Sequence, residues 1–454
     1  MAPLTLAPNY RAARLLVRIH GQPIGYVDII AGPAERIDRN RILAALDPEA
    51  SARALSHVED DLSSLGLPKQ AEMVDLSAAL DQLAALQAGC PKHGNAVAGP
   101  LATVAVCTRD RAQSIGATLD SLMRQTYQSF EILVVDNAPS NDATERIVRA
   151  NYPNVRYILE PHPGLDWARN RAIREAHGDL LAYIDDDAIA DPGWVQSLVA
   201  AFDTPEVMCI TGFVAPARLD NTAQELFERF GYSKGFYRLD YTLRTPPPEP
   251  LFPYKGYHGT GCNSAFRRGV FRAVGLFDPR LDMGTPVPGG GDHDMFTRII
   301  LAGYTLRFDP NIVVYHNHID DLSVLPRKLG QYHEAFVAYL TKYALIDCRK
   351  AFPLFVDTAW SCVRKFWRGL AAVAIKRDRP LAMVFTQAFY PLLGPVALYH
   401  SHRQHKEDLS MLFSDSSLAN AAEAPTPELP IEGPLLFDQM VSKDHSHEVI
   451  NSTL

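Results

Sequence analysis

The sequence is poor in cysteine, and its six cysteines follow no paired spacing along the 454 residues. Neither a disulfide framework nor a multi-cysteine zinc site is therefore expected, and scattered thiols suit a reducing compartment. Long runs of like charge are also lacking, and the formal net charge is only −8. This argues against a nucleic-acid partner, which would require a basic surface.

The amino terminus lacks the charged start, apolar core and small-residue cleavage site of a secretory signal. We therefore expect a cytoplasmic protein, either free or peripheral at the inner face of the cell membrane.

The chain divides by pattern into four segments. Residues 14–30 alternate around a Gly-Gln-Pro turn, and leucines and alanines recur every three or four residues over 38–88. These patterns predict a β-hairpin and helices, so residues 1–98 form a small α+β accessory domain. The Gly-, Pro- and Asn-rich stretch 89–100 marks the boundary of the next domain.

Apolar strands then alternate with amphipathic helices through residues 99–346. The predicted strands are 101–107, 130–135, 155–159 and 180–185, and the predicted helices are 112–125, 141–151 and 165–177. Repeated βα alternation indicates an α/β fold, a Rossmann-like open and mostly parallel sheet flanked by helices. Ligands of such sheets bind beyond the carboxyl ends of the strands.

Residues 347–402 are helical in pattern and rich in aromatic residues, and 403–454 form a polar, partly disordered tail. The uncharged run 381–399 is long enough to span a membrane, but Gln387, Pro391 and Gly394 interrupt it. Three alternatives stay open: attachment to a membrane surface, a true span, or packing against the α/β domain or another subunit in a homo-oligomer.

Three consecutive carboxylates, Asp185, Asp186 and Asp187, directly follow the apolar strand LLAYI. Such close negative charges repel one another unless a cation is present. Mg²⁺ or Mn²⁺ binds one or two carboxylates and completes its coordination with water and substrate phosphate. A helix-capping turn, the alternative, needs only one aspartate.

A second acidic group follows three glycines, as Asp292-His293-Asp294 before a predicted helix. The glycines permit close approach of the backbone to a ligand. A carboxylate in this position suits a general base that accepts a hydroxyl proton. Asp292 is the first candidate and Asp294 the second; alternatively, one of them caps the helix.

These two groups, in this order, resemble family 2 nucleotide-sugar glycosyltransferases of the GT-A fold, and the resemblance covers roughly 101–320. Three further segments agree: Val104–Arg111, Val134–Asp142 and Pro163–Asn170. The resemblance implies an inverting transfer from a UDP-, GDP- or dTDP-sugar to a hydroxyl of a glycan, a lipid-linked glycan or a small molecule.

The resemblance also implies residue roles. Asp187 is the direct metal ligand, Asp185 lies near the metal or the ribose, Asp186 helps to hold the site, and Asp292 is the catalytic base. Relatives have Glu-Asp where this chain has Gly291-Asp292. The remaining candidates contact the donor or the metal. Thr108 and Arg109 line the nucleotide base and Asp136 binds it, while Gly164 and Arg169 approach the nucleotide. Asn263 forms a hydrogen bond with the sugar, and His316, or less readily His318, completes the metal or diphosphate site.

Two other functions remain as alternatives. A nucleotidyltransferase of related fold also binds a nucleotide and Mg²⁺, but it places a glycine-rich loop after the first strand, where this chain has Thr108-Arg109-Asp110-Arg111. A non-catalytic glycan-binding or scaffold protein would not need both Asp187 and Asp292.

Overall fold

The computed structural model describes residues 4–8, 10–32, 35–64, 76–85, 99–230, 235–243, 258–346 and 380–405, with 356, 360, 362–364 and 366–374. The chain separates into two compact units. One unit comprises residues 1–97 with 235–237, and the other comprises 98–234 with 238–454. Most of the linker predicted over 89–100 and the tail beyond 405 lie outside the described residues.

The first unit contains a β-hairpin and three helices. Its elements are β1 (Leu4–Thr5), β2 (Ala12–Ile19), β3 (Gln22–Ile30), β4 (Arg36–Ile37), α1 (Arg39–Ala44), α2 (Pro48–Ser64) and α3 (Leu76–Ala85). His20 and Gly21 form the hairpin turn with φ of 49° and 90°. Positive φ at both turn residues matches the twist of paired strands. The turn therefore lies one residue before the expected Gly-Gln-Pro sequence.

An aspartate of α2 holds this hairpin turn. Asp61 Oδ2 lies 2.7 Å from His20 Nδ1 and 3.1 Å from His57 Nε2. His57 and Asp61 are four residues apart and therefore lie on one face of α2. Both are buried, so the polar contacts lie inside the unit.

The second unit is an α/β domain built on nine strands. They are β5 (Ala102–Thr108), β6 (Phe130–Asn137), β7 (Arg156–Glu160), β8 (Leu180–Asp185), β9 (Ala188–Ala190), β10 (Val207–Pro216), β11 (Leu239–Tyr241), β12 (Asn263–Arg267) and β13 (Thr305–His316). The described α-helices are α4 (Ile115–Leu122), α5 (Ala143–Asn151), α6 (Leu165–Glu175), α7 (Trp194–Ala201), α8 (Thr222–Phe230), α9 (Val270–Val274), α10 (Gly291–Leu301), α11 (Leu325–Ile346), α12 (Leu381–Phe389) and α13 (Gly394–Gln404).

The nine strands form one sheet in the order β11-β13-β10-β12-β8-β5-β6-β7, with β9 paired to β13. Strands β5, β6, β7, β8, β10 and β13 run in one direction, and β9, β11 and β12 run in the other. Six of the nine strands are thus mutually parallel, which confirms the mostly parallel sheet expected from the sequence. The same-direction strands end at one edge, where the candidate residues collect.

Burial of the central strands explains their continuous apolar sequences. Strand β5 is buried at six of its seven positions, and β8 at five of six. A sheet covered by helices on both faces selects such apolar strands. The few polar residues near the strand ends therefore stand out as candidates for function.

Helices α12 and α13 pack on α11 of the same unit. A Cβ atom on Gly394 would lie 2.7 Å from the Ala338 nitrogen, so the close approach requires glycine. Ser401 Oγ also donates a 2.8 Å hydrogen bond to the Arg280 carbonyl. Among the described residues, the continuous stretch Leu381–Gln404 is long and apolar enough to cross a membrane. Of its most apolar 18 residues, 33% are buried.

Candidate active site

The three adjacent aspartates lie where β8 ends beside β5. Asp185 is the last residue of β8, and a turn at Asp186 and Asp187 leads into β9. Strand β13 ends at His316, which pairs with Ala188 of β9. This pairing brings His316 back over the aspartate turn. Ligand atoms of Asp185, Asp187 and His316 consequently lie within 4.8 Å of one another.

Two basic side chains hold the Asp187 carboxylate. Arg111 Nη1 lies 2.5 Å from Oδ2, and His316 Nε2 lies 3.3 Å from Oδ1. Burial raises the pKa of Asp187, but His316 and Arg111 outweigh it and bring this pKa to about 2. Asp187 is therefore ionised at neutral pH.

The other two aspartates have the opposite electrostatic environment. Burial and the charge of Asp187 raise the pKa of Asp185. Burial raises the pKa of Asp186 to about 7, although Thr108 Oγ1 donates a 2.6 Å hydrogen bond to it. One strongly acidic carboxylate beside two weakly acidic ones is an arrangement that a cation stabilises.

A buried polar chain extends from His316 away from Asp187. His316 Nδ1 lies 3.2 Å from His318 Nδ1, and His318 Nε2 lies 2.9 Å from Glu228 Oε2. His318 and Glu228 are buried beside Phe227, whose ring stacks on His316 at 6.3 Å. His318 thus lies behind His316 and contacts it through the ring nitrogen that faces away from the aspartate.

Asp292 lies in the first turn of α10, and its side chain is 21% exposed. Its Oδ2 accepts a 2.9 Å hydrogen bond from the Gly261 amide, and its Oδ1 accepts one of 2.9 Å from the His293 amide. Burial raises the pKa of Asp292, but nearby His293 and Arg169 and these two amides lower it below the ordinary value. The carboxylate is therefore charged and held in a fixed orientation.

Asp294 differs in being fully buried. It forms ion pairs with Lys342 at 2.6 Å and Arg298 at 2.9 Å, and accepts a hydrogen bond from the Tyr343 hydroxyl. These contacts join α10 to α11. Neither aspartate is the N-cap of α10, because that position is Gly290 in the left-handed conformation. The N-cap position is therefore excluded for both residues, although Asp292 accepts from the His293 amide in the first turn.

Two candidate residues lie deeper in the fold than expected. Asn263 is 1% exposed; its Nδ2 donates to the Phe213 and Ile312 carbonyls, and its Oδ1 accepts from Trp194 Nε1. Both amide hydrogens are thereby used, which argues against the expected contact with the donor sugar.

Arg169 is similarly enclosed. It forms a 2.9 Å ion pair with Asp166 and lies over the Phe277 ring at 5.4 Å. A Cβ atom on Gly261 would lie 2.4 Å from its guanidinium, so Gly261 covers it. Its charge lowers the pKa of Asp292, and the direct nucleotide contact that the resemblance implies stays a prediction.

The expected base-binding residues occupy the ends of β5 and β6. Asp136 is buried; its Oδ2 accepts a 2.8 Å hydrogen bond from the Tyr157 hydroxyl, and its Oδ1 has no partner within the described part of the chain. Arg109 is half exposed, and its Nε lies 4.0 Å from Asp110. Thr108 faces Asp186 instead of open space.

The glycine at 164 has φ of 141°, and a Cβ atom there would lie 2.4 Å from Asp282 Oδ2. This buried aspartate also accepts a 2.7 Å hydrogen bond from the Asp166 amide, near the start of α6. Gly164 therefore permits a distant carboxyl group to cap α6. Sequence patterns gave no indication of this contact, because Asp282 follows Gly164 by more than a hundred residues.

Comparison with known proteins relates the central part of this domain to a described protein family. Residues 103–275 match the family described as Glycosyl transferase family 2. Glucosyl-dolichyl phosphate glucuronosyltransferase of Haloferax volcanii is 26% identical over 183 residues, 39% of this chain and 55% of that protein. Succinoglycan biosynthesis protein ExoM of Rhizobium meliloti is 28% identical over 226 residues, 47% of this chain and 65% of that protein. The match therefore spans between about half and two thirds of these two relatives.

Among solved structures, the mannosyltransferase PcManGT from Pyrobaculum calidifontis, in complex with GDP-Man and Mn²⁺, aligns with a TM-score of 0.38 and 18% identity. The alignment covers 81% of this chain and 89% of that one.

Proposed function

Since residues 103–275 belong to glycosyl transferase family 2, we propose that the protein transfers a sugar from a nucleotide-diphosphate sugar to an acceptor hydroxyl, with a divalent cation and inversion at the anomeric carbon. The family assignment favours this reaction over nucleotidyl transfer. The intact carboxylates at Asp187 and Asp292 favour catalysis over a purely binding role.

The observation that carries the metal proposal is the chain of hydrogen bonds behind His316. Glu228 accepts from His318 Nε2, so a neutral His318 presents the lone pair of Nδ1 to His316. His316 then carries its proton on Nδ1, and its Nε2 lone pair faces Asp187 Oδ1 at 3.3 Å. These tautomers are assigned from the hydrogen bonds.

A cation between or beside these two atoms would take the place of the His316 hydrogen bond that lowers the pKa of Asp187. Asp185, Asp187 and His316 fit a divalent ion, since Mn²⁺ and Mg²⁺ bind carboxylate oxygens and Mn²⁺ also accepts imidazole. The contact from His318 fixes the orientation of the ligating ring, as partners behind a metal-binding histidine generally do. A bound cation supplies positive charge to the diphosphate that leaves.

Asp136 supports the location of the nucleotide base. Its Oδ1 is buried and without a partner in the described residues, and it lies at the end of β6, beside β5. A buried carboxylate oxygen without a donor is costly, and an imino or amino group of a base would satisfy it. The base therefore binds at the β5 and β6 ends, and the diphosphate extends toward Asp187.

Asp292 is the proposed general base. Its carboxylate is charged, partly exposed and oriented by the Gly261 and His293 amides. It accepts the proton of the acceptor hydroxyl as that oxygen attacks the anomeric carbon. Attack from the side opposite the diphosphate inverts the anomeric configuration in a single displacement, so no protein nucleophile is required.

The outward face of α12 and α13 supports a membrane location. Phe389, Leu392 and Val396 are 55%, 70% and 55% exposed. Exposed Trp367 and Arg368 precede these helices. Aromatic and basic residues beside an apolar face favour the surface of an anionic bilayer. We accordingly propose that the protein acts at the cytoplasmic membrane surface, where lipid-linked acceptors are accessible.

The test is a screen of UDP-, GDP- and dTDP-sugars for thermal stabilisation of the protein with Mn²⁺. We expect one nucleotide to raise the Tm, and excess chelator to abolish the effect. Stabilisation that is equal in chelator would contradict the metal-assisted mechanism.

A further inference from the structure

One face of α11 covers the glycine loop that leads to Asp292. Lys328, Tyr332, Ala335 and Tyr339 recur at spacings of four, three and four residues, which places them on one side of the helix. A Cβ atom on Gly290 would lie 3.5 Å from the Ala335 carbonyl oxygen and 3.7 Å from Tyr339 Cβ. The amino-terminal part of this face, which carries Lys328 and Tyr332, therefore continues beyond the loop.

Contacts of Lys328 and Tyr332 place both side chains on the side of the candidate metal site. Lys328 Nζ lies 3.8 Å from Met283 Sδ and 5.6 Å from the centre of the Tyr332 ring. The Tyr332 ring meets Phe227 at 6.5 Å, and Phe227 stacks on His316. Lys328 is thus linked through two rings to the histidine beside Asp187.

Lys328 is a half-buried cation without an anionic partner. No carboxylate of the described residues lies within 4 Å of its Nζ, whereas Lys342 on the same helix lies between Asp278 and Asp294 at 2.7 and 2.6 Å. Burial and the positive charge of Arg111 lower the pKa of Lys328, and the negative charge of Asp187 raises it. Two cations, Arg111 and Lys328, thus act on the same region.

A partly buried ammonium group is costly unless an anion compensates for its lost hydration. Arg111 lies 2.5 Å from Asp187 and 3.6 Å from Asp186, which leaves the charge of Lys328 for an additional anion. The two phosphates of a nucleotide-sugar donor carry two such negative charges. A donor diphosphate satisfies this requirement at the position where the reaction needs it.

We propose that Lys328 binds the donor diphosphate, so that α11 contributes directly to the donor site. The assignment rests on the proposed glycosyl transfer. It gives α11 a binding role in addition to its packing against α12 and α13.

The test compares Lys328→Met with Lys328→Arg and with a matched control, Arg327→Met, whose side chain is exposed on the same helix. Calorimetry with UDP, GDP and dTDP in Mn²⁺ measures diphosphate affinity, and the corresponding nucleosides measure binding of the base alone. We expect Lys328→Met to weaken diphosphate binding by roughly tenfold or more, the size of a lost charged hydrogen bond. Lys328→Arg should restore most of it, and nucleoside affinity should not change.

Two negative outcomes are distinguishable. If the wild type binds one diphosphate and Lys328→Met binds it equally well, the role of Lys328 is wrong and the proposed function stands. If the wild type binds none of the three with Mn²⁺, the proposed function fails and this assignment with it. An equal loss of diphosphate affinity in Lys328→Met and Arg327→Met would also overturn the assignment. The loss would then follow from the lower positive charge of the helix and not from a contact between Lys328 and the diphosphate.

Discussion

At the scale of single residues, we propose different roles for Asp292 and Asp294, which lie only two positions apart. Asp292→Asn keeps the shape of the side chain and removes its basicity, so we expect donor affinity to persist and transfer to fall by about a hundredfold or more. Asp294→Asn should instead lower the Tm, because it weakens buried ion pairs with Lys342 and Arg298.

Single-turnover transfer, calorimetric donor affinity and the Tm of both variants decide this point. Near-normal transfer by Asp292→Asn together with an inactive but equally stable Asp294→Asn would move the base by two residues. That outcome would contradict the assignment of Asp292 as the base, because the carboxylate of Asp294 is buried in ion pairs.

The residues that sequence patterns predicted well are those at strand ends. Asp185, Asp187 and His316 each end or follow an apolar strand, and parallel strands bring such residues to one edge. The roles of Arg169 and Asn263 were not predictable in the same way. Spacing does not tell whether a polar side chain near a strand end faces the cleft or, as here, bonds to the interior.

Arg111 and Lys328 are two charged residues that sequence reasoning left without a role. Arg111 lies on the turn after β5, so its proximity to the β8 end follows once the strand order is known. Lys328 follows Asp187 by 141 residues and lies on the side of the candidate metal site only because α11 packs over the glycine loop. Packing of a distant helix cannot be read from local periodicity.

At the scale of elements, the predicted βα alternation agrees closely with the structure. The strand predicted over 180–185 is Leu180–Asp185, and the helix predicted over 165–177 is Leu165–Glu175. The insertion of antiparallel β12 between β8 and β10 was not predicted. Long-range strand pairing determines this order, and the apolar pattern of a buried strand is the same in either direction.

The cap of α6 predicts how the stability of the protein depends on pH. Burial and the charge of Asp166 raise the pKa of Asp282 well above its ordinary value. A carboxyl whose pKa is raised by folding binds a proton more tightly in the folded protein. Its contribution to stability is therefore fully present at low pH and is lost as pH rises toward the folded pKa.

Asp282→Asn removes this titration and keeps an oxygen that accepts from the Asp166 amide. We expect the variant to gain Tm relative to the wild type as pH rises from 5 to 8, by up to about 3 °C per pH unit. Parallel Tm curves for the two proteins across this range would show that Asp282 is ionised in the folded state.

At the scale of the whole molecule, the apolar face of α12 and α13 is more exposed than contact with water alone explains. Truncation before these helices would also uncover α11, against which they pack. A combined Phe389→Ser, Leu392→Ser and Val396→Ser variant changes the exposed face alone. We expect it to keep the Tm of the wild type and to lose flotation with anionic liposomes.

A matched control replaces Leu239, an exposed apolar residue of β11, with serine. This variant should float as the wild type does. Equal flotation of the wild type and the triple variant would instead favour another protein surface as the partner of this face.

The central claim joins the family assignment to one cluster of side chains: Asp187, held by Arg111 and His316, provides the cation site on which transfer depends. Turnover of the donor found in the nucleotide-sugar screen, measured for the wild type and Asp187→Asn with Mn²⁺ and with excess chelator, tests it most directly. We predict that turnover requires both Mn²⁺ and Asp187, and that it falls by roughly a hundredfold or more without either, while the Tm of the unliganded variant stays within a few degrees. Wild-type turnover in excess chelator, or full activity of Asp187→Asn, would contradict the account.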